Sequence, residues 1–393
     1  MARYMKIQSG RKVPFNNLSQ QRCEGLMKLP VPDYIAALVP YPPGKPLDAL
    51  EREYGISNSI KLASNENPLG PSPMAICALR DALGGLHRYP DGSGYYLRKR
   101  LSDRFRLPFE GIVLGNGSNE IIELLIGTFL LPGDEAILPA PSFLVYKLAV
   151  QARGGKSTVI PLKDFSLDLD AMSAAITPRT KLIFVNNPNN PTGIAITRKS
   201  FESFLEAVPP GVIIVLDEAY REFVRNNDTP NGFDYVGKSS KPVVVLRTFS
   251  KLYGLAGLRI GYGAMDPEVA DYLNRVRQPF NTGTLSQIAA LAALDDEDFV
   301  RKTLETVWSG LDYLYGAVER LGLRYMPTET NFFLIEVPAD AKDVFEAMLR
   351  KGVIIRSMSS YGLNRHIRIN VGTPQENERF IRALGETLSE LKG

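Results

Sequence analysis

A lysine and an arginine stand close together in a stretch rich in glycine and hydroxyl groups, residues 246–262. Lys251 follows the apolar run 243–246, and Arg259 comes eight residues later with no carboxylate between the two cations. An amine beside an anion-binding group suits covalent Schiff-base chemistry, because such an amine needs a lowered pKa. Side-chain donors to the anion would be Thr248, Ser250 and Arg259.

Two upstream segments carry residue types that such a lysine would need. Residues 212–216 are predicted to form a fully buried strand that ends in Asp217, with Tyr220 three residues later. Residues 182–185 are predicted to form another buried strand, followed by an Asn-Pro-Thr-Gly motif that begins at Asn190. An acid, an asparagine and a lysine therefore follow the ends of three predicted strands.

With these motifs in this order, the chain resembles the fold-type I pyridoxal-phosphate enzymes of the aspartate aminotransferase superfamily. More narrowly, it resembles the histidinol-phosphate aminotransferases. The resemblance runs from about Pro32 to the C-terminus. It implies a transaminase with pyridoxal 5'-phosphate as cofactor, acting on a small-molecule amino donor and a 2-oxo acid.

The resemblance assigns cofactor roles to the matching positions. Lys251 would hold the cofactor covalently and carry the proton between the substrate α-carbon and the cofactor. Asp217 would pair with the ring nitrogen, and Tyr220 and Asn190 would bind the ring hydroxylate. The loop 115–120 would bind the phosphate at a helix N-terminus. The other implied cofactor contacts are Gly117, Ser118, Asn119, Thr248, Ser250 and Arg259 at the phosphate, and Phe143 against the ring.

Substrate recognition is implied by the same branch of the family. Arg368 would grip the substrate's anionic end, since a guanidinium binds carboxylate or phosphate bidentately. Arg356 would be a second arginine, and Arg365 lies close enough in sequence to leave the assignment open. Two further segments match the histidinol-phosphate branch and supply Tyr41 and Asn65 as substrate-binding candidates.

Tyr89, in the segment His-Arg-Tyr-Pro, matches a family tyrosine that reaches into the neighbouring subunit's phosphate site. The resemblance therefore implies a homodimer with shared active sites. A monomer would be incomplete. Aromatic packing within the chain is the alternative interpretation of Tyr41 and of Tyr89.

The elements that must position these residues alternate along the chain. From about Ile112, short apolar runs alternate with amphipathic segments, which predicts an α/β fold with a doubly wound, mostly parallel sheet. The predicted strands are 112–114, 135–138, 157–160, 181–185, 212–216, 243–248 and 260–264. The predicted helices are 120–129, 143–152, 169–175 and 199–207.

After residue 286 the pattern changes. Apolar residues recur at steps of three and four from Phe299 to Leu321, which predicts one long amphipathic helix. It leads to a small α+β unit with predicted strands at 332–337, 353–356 and 366–371 and helices at 341–351 and 374–391. With the resemblance, this predicts an N-terminal extension (1–31), a segment joining the small domain (32–75), a large cofactor-binding domain (76–285) and a small C-terminal domain (286–393).

Composition narrows the class of protein. The chain has 393 residues, 44% hydrophobic and 23% charged, with a formal net charge of +3, so nothing indicates a nucleic-acid partner. The basic residues 1–28 could be a transit peptide or a nucleic-acid tail, but a loosely packed extension is the simpler interpretation. No apolar run is long enough for a membrane span. Two distant cysteines favour a reduced, cytoplasmic protein, and two histidines argue against a metal site or a histidine-based triad.

Other functions remain open at this stage. An aromatic amino-acid aminotransferase or a threonine-phosphate decarboxylase would share these motifs, and decarboxylation would need only a different substrate orientation at the ring. A dinucleotide site would require a glycine where Glu120 stands. A non-enzymatic regulator that binds the same cofactor would usually add a DNA-binding region, and residues 1–31 are too short for one.

Overall fold

The computed structural model describes residues 30–40 and 46–391. Tyr41 and nearly all of the predicted N-terminal extension lie outside these ranges. The strands are β1 (Ile60–Lys61), β2 (Ile112–Gly115), β3 (Glu135–Ala140), β4 (Lys156–Pro161), β5 (Thr180–Asn186), β6 (Ile213–Asp217), β7 (Val243–Thr248), β8 (Gly261–Ala264), β9 (Arg324–Tyr325), β10 (Phe332–Glu336), β11 (Val353–Ile354), β12 (Arg356–Ser357) and β13 (His366–Asn370).

The α-helices run between these strands and over the sheets. No helix in the described ranges is long and apolar enough to cross a membrane. The helices are α1 (Asp33–Ala36), α2 (Leu47–Tyr54), α3 (Pro73–Ala82), α4 (Tyr95–Phe105), α5 (Ser118–Phe129), α6 (Val145–Ala152), α7 (Leu169–Ala174), α8 (Arg198–Ala207), α9 (Pro267–Val276), α10 (Thr284–Leu294), α11 (Glu297–Arg320), α12 (Ala341–Arg350) and α13 (Pro374–Glu390).

A seven-stranded sheet in the order β2-β8-β7-β6-β5-β3-β4 forms the centre of the larger part. Its strands pair in parallel except β8, which runs antiparallel to both of its neighbours. Alternate residues of β6 enter opposite cores: Ile214 and Leu216 pack on one face, and Ile213 and Val215 on the other. A strand buried on both faces explains the continuous apolar runs in the sequence, and the predicted mostly parallel α/β fold is confirmed.

The carboxyl ends of β5, β6 and β7 lie side by side at one edge of this sheet. Asn186 pairs with Asp217 and Asp217 with Leu246 in the parallel register, so the segments after the three strands emerge together. In open α/β sheets, this edge is where ligands bind.

The C-terminal part contains an antiparallel sheet in the order β12-β13-β10-β9, covered by helices that include the long α11. The short strand β1 pairs in parallel with β11, so Ile60 lies beside Val353. This pairing joins the N-terminal segment to the C-terminal unit. The boundary at 285/286 falls inside α10, which packs against α3, and the proposed division into domains stays a prediction.

The single strand predicted at 353–356 is wrong. β11 and β12 are separate short strands on either side of Ile355, and they belong to different sheets. Residues 353–355 are all buried, and a run of apolar residues does not show that its pairing partner changes midway. The break turns Arg356 into the partner of Arg368 across β12 and β13.

Candidate active site

A cavity of about 280 Å³ opens at the carboxyl ends of β5, β6 and β7. It is lined by side chains from the loops after these strands, from the start of α5 and from the segment after β1. The predicted cofactor residues that line it are Ser118, Asn119, Phe143, Asn190, Asp217, Tyr220, Thr248, Ser250, Lys251 and Arg259. Residues far apart in sequence therefore meet around one space.

Lys251 faces this cavity, and its Nζ atom donates to the carbonyl oxygen of Ser64 at 3.1 Å. Within the described ranges, no carboxylate forms an ion pair with it. The residue retains some exposure because it faces the cavity, but protein atoms enclose the amine. Burial, followed by the charge of Arg368, lowers the pKa of Lys251 to about 7. A large fraction of the amine is thus neutral near pH 7, as nucleophilic or general-base chemistry requires.

Asp217 ends β6 and is buried without a cationic partner in the described chain. Its carboxylate accepts a hydrogen bond from the Tyr146 hydroxyl at 2.6 Å and one from the Ala219 backbone N–H at 3.2 Å. Burial raises the pKa of Asp217 to about 6, and the hydrogen bond from Tyr146 acts in the opposite direction. A buried carboxylate with only neutral donors is suited to bind a protonated nitrogen.

The opposite end of the cavity is rich in donors. α5 begins at Ser118, two residues before the predicted start, and Ser118 and Asn119 of its first turn line the cavity, where helix N-termini favour anions. The hydroxyls of Thr248 and Ser250 lie 3.0 Å apart, and Arg259 Nη1 donates to Ser250 Oγ at 3.4 Å. Gly117 has a φ of 72°, and a Cβ there would collide with the guanidinium of Arg259. This close approach of arginine to backbone makes a cradle for an anion.

Tyr220 is buried and lines the same cavity. Its hydroxyl accepts a hydrogen bond from Asn65 Nδ2 at 2.9 Å, while Asn65 N–H donates to the side-chain oxygen of Asn370 at 3.1 Å. Burial raises the pKa of Tyr220 to about 12, although the charge of Arg368 and the bond from Asn65 favour ionisation. Asn65 thus contacts the site through Tyr220 and does not itself line the cavity.

Arg368 is buried beside Asn190. Its guanidinium donates to the Asn190 side-chain oxygen and, at 3.0 Å, to the Ala63 carbonyl, while Nε has no hydrogen-bond partner. No carboxylate in the described part of the chain pairs with it. Arg356 is the antiparallel partner of Arg368 and therefore shares its face of the small sheet. Arg365 instead donates to the Val337 carbonyl at 3.3 Å.

Tyr89 does not line the cavity of its own chain. Its side chain is 84% exposed, and the ring stacks on Phe280 with centroids 4.9 Å apart. Tyr89 is therefore not a core residue, although it makes one aromatic contact within its own chain, and its role stays a prediction. Tyr41 lies outside the described residues.

The donor set fits pyridoxal phosphate. The cradle at Gly117 and Arg259 suits the phosphate, and the carboxylate of Asp217 suits the ring nitrogen. The amine of Lys251, which has no carboxylate partner in the described ranges, suits the aldehyde. Phe143 lies at the cavity wall, 5.5 Å from Tyr146 in an edge-on ring contact. These three requirements occur at separate positions around one cavity.

Two features of the site were not predicted from the sequence. The first is Tyr146, the donor to Asp217, which lies in the first turn of α6. Its closeness in sequence to Phe143 was the available signal. The second feature is the ion pair between Lys61 and Glu66, 2.9 Å apart, whose carboxylate lines the same cavity. No regular element joins these two residues, so their sequence separation gave no indication of contact.

Comparisons with known proteins agree with this geometry. The sequence profile of the family "Aminotransferase class I and II" matches residues 57–384. A histidinol-phosphate aminotransferase from Moorella thermoacetica is 48% identical over 355 residues, which are 90% of this chain and 92% of that protein. One from Desulfotalea psychrophila is 48% identical over 369 residues, 93% of this chain and 97% of that protein.

Solved structures share the fold. The crystal structure of the Sinorhizobium meliloti histidinol-phosphate aminotransferase, in complex with pyridoxal-5'-phosphate, superposes with a TM-score of 0.85 at 27% identity. The match covers 93% of this chain and 99% of that one. A Thermus thermophilus aspartate aminotransferase double mutant matches with a TM-score of 0.78 at 25% identity, over 90% of this chain and 99% of that one.

Proposed function

The chain belongs to the family of class I and II aminotransferases, and we propose that it transfers an amino group between L-histidinol phosphate and 2-oxoglutarate, with pyridoxal phosphate as cofactor. One observation carries the proposal. Among the described residues, Lys251 has no ion-paired carboxylate and the buried Asp217 has no cationic partner, and both face one cavity that also contains an anion cradle. The two relatives that are 48% identical to this chain are named histidinol-phosphate aminotransferases.

In the proposed reaction, the cofactor, when bound, supplies an electron sink for the substrate α-carbon and holds the amino group between the half-reactions. Lys251 would hold the cofactor covalently at rest, and its Nζ amine, once released from the cofactor, would take the proton from the α-carbon. This is possible near neutral pH because the pKa of Lys251 is lowered to about 7. Asp217 keeps a negative charge at the ring nitrogen. Tyr220 and Asn190 bind the ring hydroxylate.

The remaining residues orient the two ligands. Gly117, Arg259 and the first turn of α5 bind the cofactor phosphate, with Ser118, Asn119, Thr248 and Ser250, while Phe143 stacks on the ring. Arg368 binds the anionic group of the substrate, and its unpartnered Nε leaves donor capacity for that contact. Arg356 and Asn65 support the substrate side. For Tyr41, sequence resemblance is the basis of the same role.

We further propose a homodimer in which the partner subunit's Tyr89 completes each phosphate site. The support is the surface around Tyr89, which exposes several aromatic and aliphatic side chains. Exposed apolar surface of this kind is typical of a protein–protein interface. Arg277 donates to the Gly92 carbonyl at 2.7 Å and ties the two segments of this surface together. The exposed apolar side chains of these two segments are Tyr89, Tyr95, Tyr96, Val276 and Phe280. We also assign the reaction to the cytoplasm, on the scarcity of cysteine.

A mixing experiment tests the shared site. Tyr89→Ala chains and Lys251→Ala chains, each nearly inactive alone, should form hybrid dimers in which one site has an intact Lys251 and the partner's intact Tyr89. Activity should then recover to at most one working site per hybrid. If subunit exchange is demonstrated by mass and no activity returns, the shared site is wrong.

A substrate panel tests the reaction itself. L-histidinol phosphate, L-phenylalanine, L-tyrosine and O-phospho-L-threonine are each supplied with 2-oxoglutarate, and both keto product and carbon dioxide are measured. We expect the highest kcat/KM with L-histidinol phosphate and no carbon dioxide. A preference for the aromatic donors, or carbon dioxide from O-phospho-L-threonine, would replace the proposal with one of the two alternatives.

A further inference from the structure

Both substrates of the proposed reaction must use one cavity, but they differ in charge at one position. In each, an amino or oxo group reacts at the central carbon and an anionic group lies beside it: a phosphate in histidinol phosphate, the α-carboxylate in glutamate. The third substituent is an imidazole in one and a second carboxylate in the other. The imidazole is a hydrogen-bond donor and often a cation, whereas the carboxylate is an anion. A subsite of fixed charge would favour one and repel the other.

The cavity wall offers two carboxylates in the described chain, Asp217 and Glu66. Asp217 is already engaged by Tyr146 and is assigned to the ring nitrogen. Glu66 is 43% exposed and pairs with Lys61, which is 21% exposed. Glu66 also lines a second cavity of about 260 Å³, whose wall includes Lys61. The ion pair thus stands between the active-site cavity and its neighbour.

Both members of the pair act electrostatically on the reactive amine. The charge of Glu66 raises the pKa of Lys251, and the charge of Lys61 lowers it, although burial and Arg368 have larger effects. Each charged group therefore lies within electrostatic range of the position where the substrate must sit. A surface ion pair unrelated to the site would not act in this way.

Hydrogen bonds hold the residues on either side of Glu66, whereas its own side chain has fewer constraints. Asn65 is held by Asn370 and Asn331, and the Asn67 side chain donates to the Leu252 carbonyl at 2.7 Å. In the described chain, the Glu66 carboxylate is bonded to Lys61 alone. This arrangement keeps the carboxylate at the wall of the cavity and lets it exchange partners at small cost, because a partly exposed ion pair contributes little to stability.

We propose that the Lys61–Glu66 pair is the specificity element that accepts both third substituents. With the amino donor, Glu66 accepts the imidazole N–H of L-histidinol phosphate. With glutamate or 2-oxoglutarate, Lys61 turns from Glu66 to the distal carboxylate. Lysine suits this exchange because its ammonium is a point charge on a flexible stem. The inference rests on the proposed function.

The test uses the full-length enzyme with its cofactor and two single substitutions. Glu66→Gln keeps the shape but removes the negative charge, and Lys61→Gln removes the positive one. Each is assayed with four amino donors: L-histidinol phosphate, L-alaninol phosphate, which lacks the imidazole, L-glutamate, and L-glutamine, which lacks the second charge. Glu390→Gln is the matched control, since Glu390 forms a comparable exposed pair with Lys351 at 2.7 Å.

Opposite changes are expected from the two substitutions. Glu66→Gln should lower kcat/KM for L-histidinol phosphate about tenfold, the scale of one hydrogen bond to a charged group, and leave L-alaninol phosphate within about twofold. It should preserve or raise kcat/KM for L-glutamate, because Lys61 is released. Lys61→Gln should lower kcat/KM for L-glutamate about tenfold, spare L-glutamine and preserve L-histidinol phosphate. Thermal unfolding midpoints and cofactor absorbance confirm that each variant is folded and loaded.

Equal losses with all four donors would show that the pair only maintains the cavity and would overturn the inference. So would unchanged kcat/KM in both variants. Failure of the proposed function has a different signature: the wild type would not convert L-histidinol phosphate at all. In that case the Lys61→Gln comparison of L-glutamate with L-glutamine still decides whether Lys61 reads the distal carboxylate.

Discussion

Asp217 and Glu218 are neighbours at the end of β6, yet their carboxylates have different partners. Glu218 binds Arg247 Nη2 at 2.7 Å and Nε at 3.0 Å and accepts the Gly232 N–H at 2.7 Å. Asp217 is as deeply buried but receives neutral donors only. The two nearby cations differ in the same way. Arg247 is paired with Glu218, whereas Lys251, four residues later, has no carboxylate partner in the described ranges.

The difference separates structure from function within a few residues. Burial opposes the charge on Arg247, but Glu218 and Glu222 raise its pKa above the usual value, so this pair is complete within the chain. Burial likewise disfavours the charged forms of Asp217 and Lys251. In the described ranges no cation offsets this effect at Asp217, and at Lys251 the charge of Glu66 offsets it only in part. Buried groups whose charges lack partners are candidates to bind a ligand that supplies them.

The strongest test of this comparison is Lys251→Ala. We expect activity to fall by roughly four decades, the upper range for loss of a general base, because the covalent attachment is lost as well. Borohydride should fix the cofactor to the wild type but not to the variant, as measured by intact mass. A reduced adduct mapped to another lysine would contradict the assignment.

Glu218→Gln should affect stability rather than catalysis, because it breaks the buried ion pair with Arg247. Leaving Arg247 buried beside a neutral side chain should lower the free energy of unfolding by about 3–5 kcal/mol. The fraction that folds should retain near-normal kcat, because Glu218 does not line the cavity. Denaturant midpoints and active-site titration measure the two effects. A large loss of kcat with unchanged stability would contradict the assignment of a structural role to Glu218.

Asp217→Asn is the matched change at the neighbouring residue. It should lower kcat strongly, whereas Glu218→Gln should mainly lower stability. Losing its charge at the ring nitrogen should remove roughly 3–4 kcal/mol of transition-state stabilisation, or two to three decades in kcat. Cofactor affinity should change far less than turnover. Kinetics and equilibrium dialysis decide the case, and a variant within about threefold of the wild type would rule out the electron-sink role.

The smallest effect is expected from Tyr146→Phe, which removes one neutral hydrogen-bond donor to Asp217. The Tyr146 hydrogen bond lowers the pKa of Asp217, so its removal should raise that pKa further above 6. Asp217 binds a protonated ring only when ionised. Cofactor affinity, titrated from pH 5.5 to 8, should therefore begin to fall at a higher pH in the variant than in the wild type. Superimposable profiles would show that the hydroxyl is only a packing contact.

The sequence predicted the large sheet well because each of its strands is a short apolar run with its own boundaries. The group around Lys251 was also accessible, since its members follow strand ends that a parallel sheet places together. Their roles remain predictions. The change of partner at Ile355 and the contact between Lys61 and Glu66 were not accessible. The change of partner depends on how distant segments pack, and the contact between Lys61 and Glu66 depends on the irregular backbone between them. Local periodicity carries no information about either.

The pairing of Ile60 with Val353 has a consequence for synthesis on the ribosome. The two strands are separated by about 290 residues, so the earlier one emerges roughly 15 to 60 seconds before its partner at ordinary elongation rates. The seven-stranded sheet ends at Ala264 and has all of its strands available sooner. The segment that supplies Asn65 and Glu66 therefore stays unpaired during synthesis while the large sheet can already form, so this part of the active site is completed last.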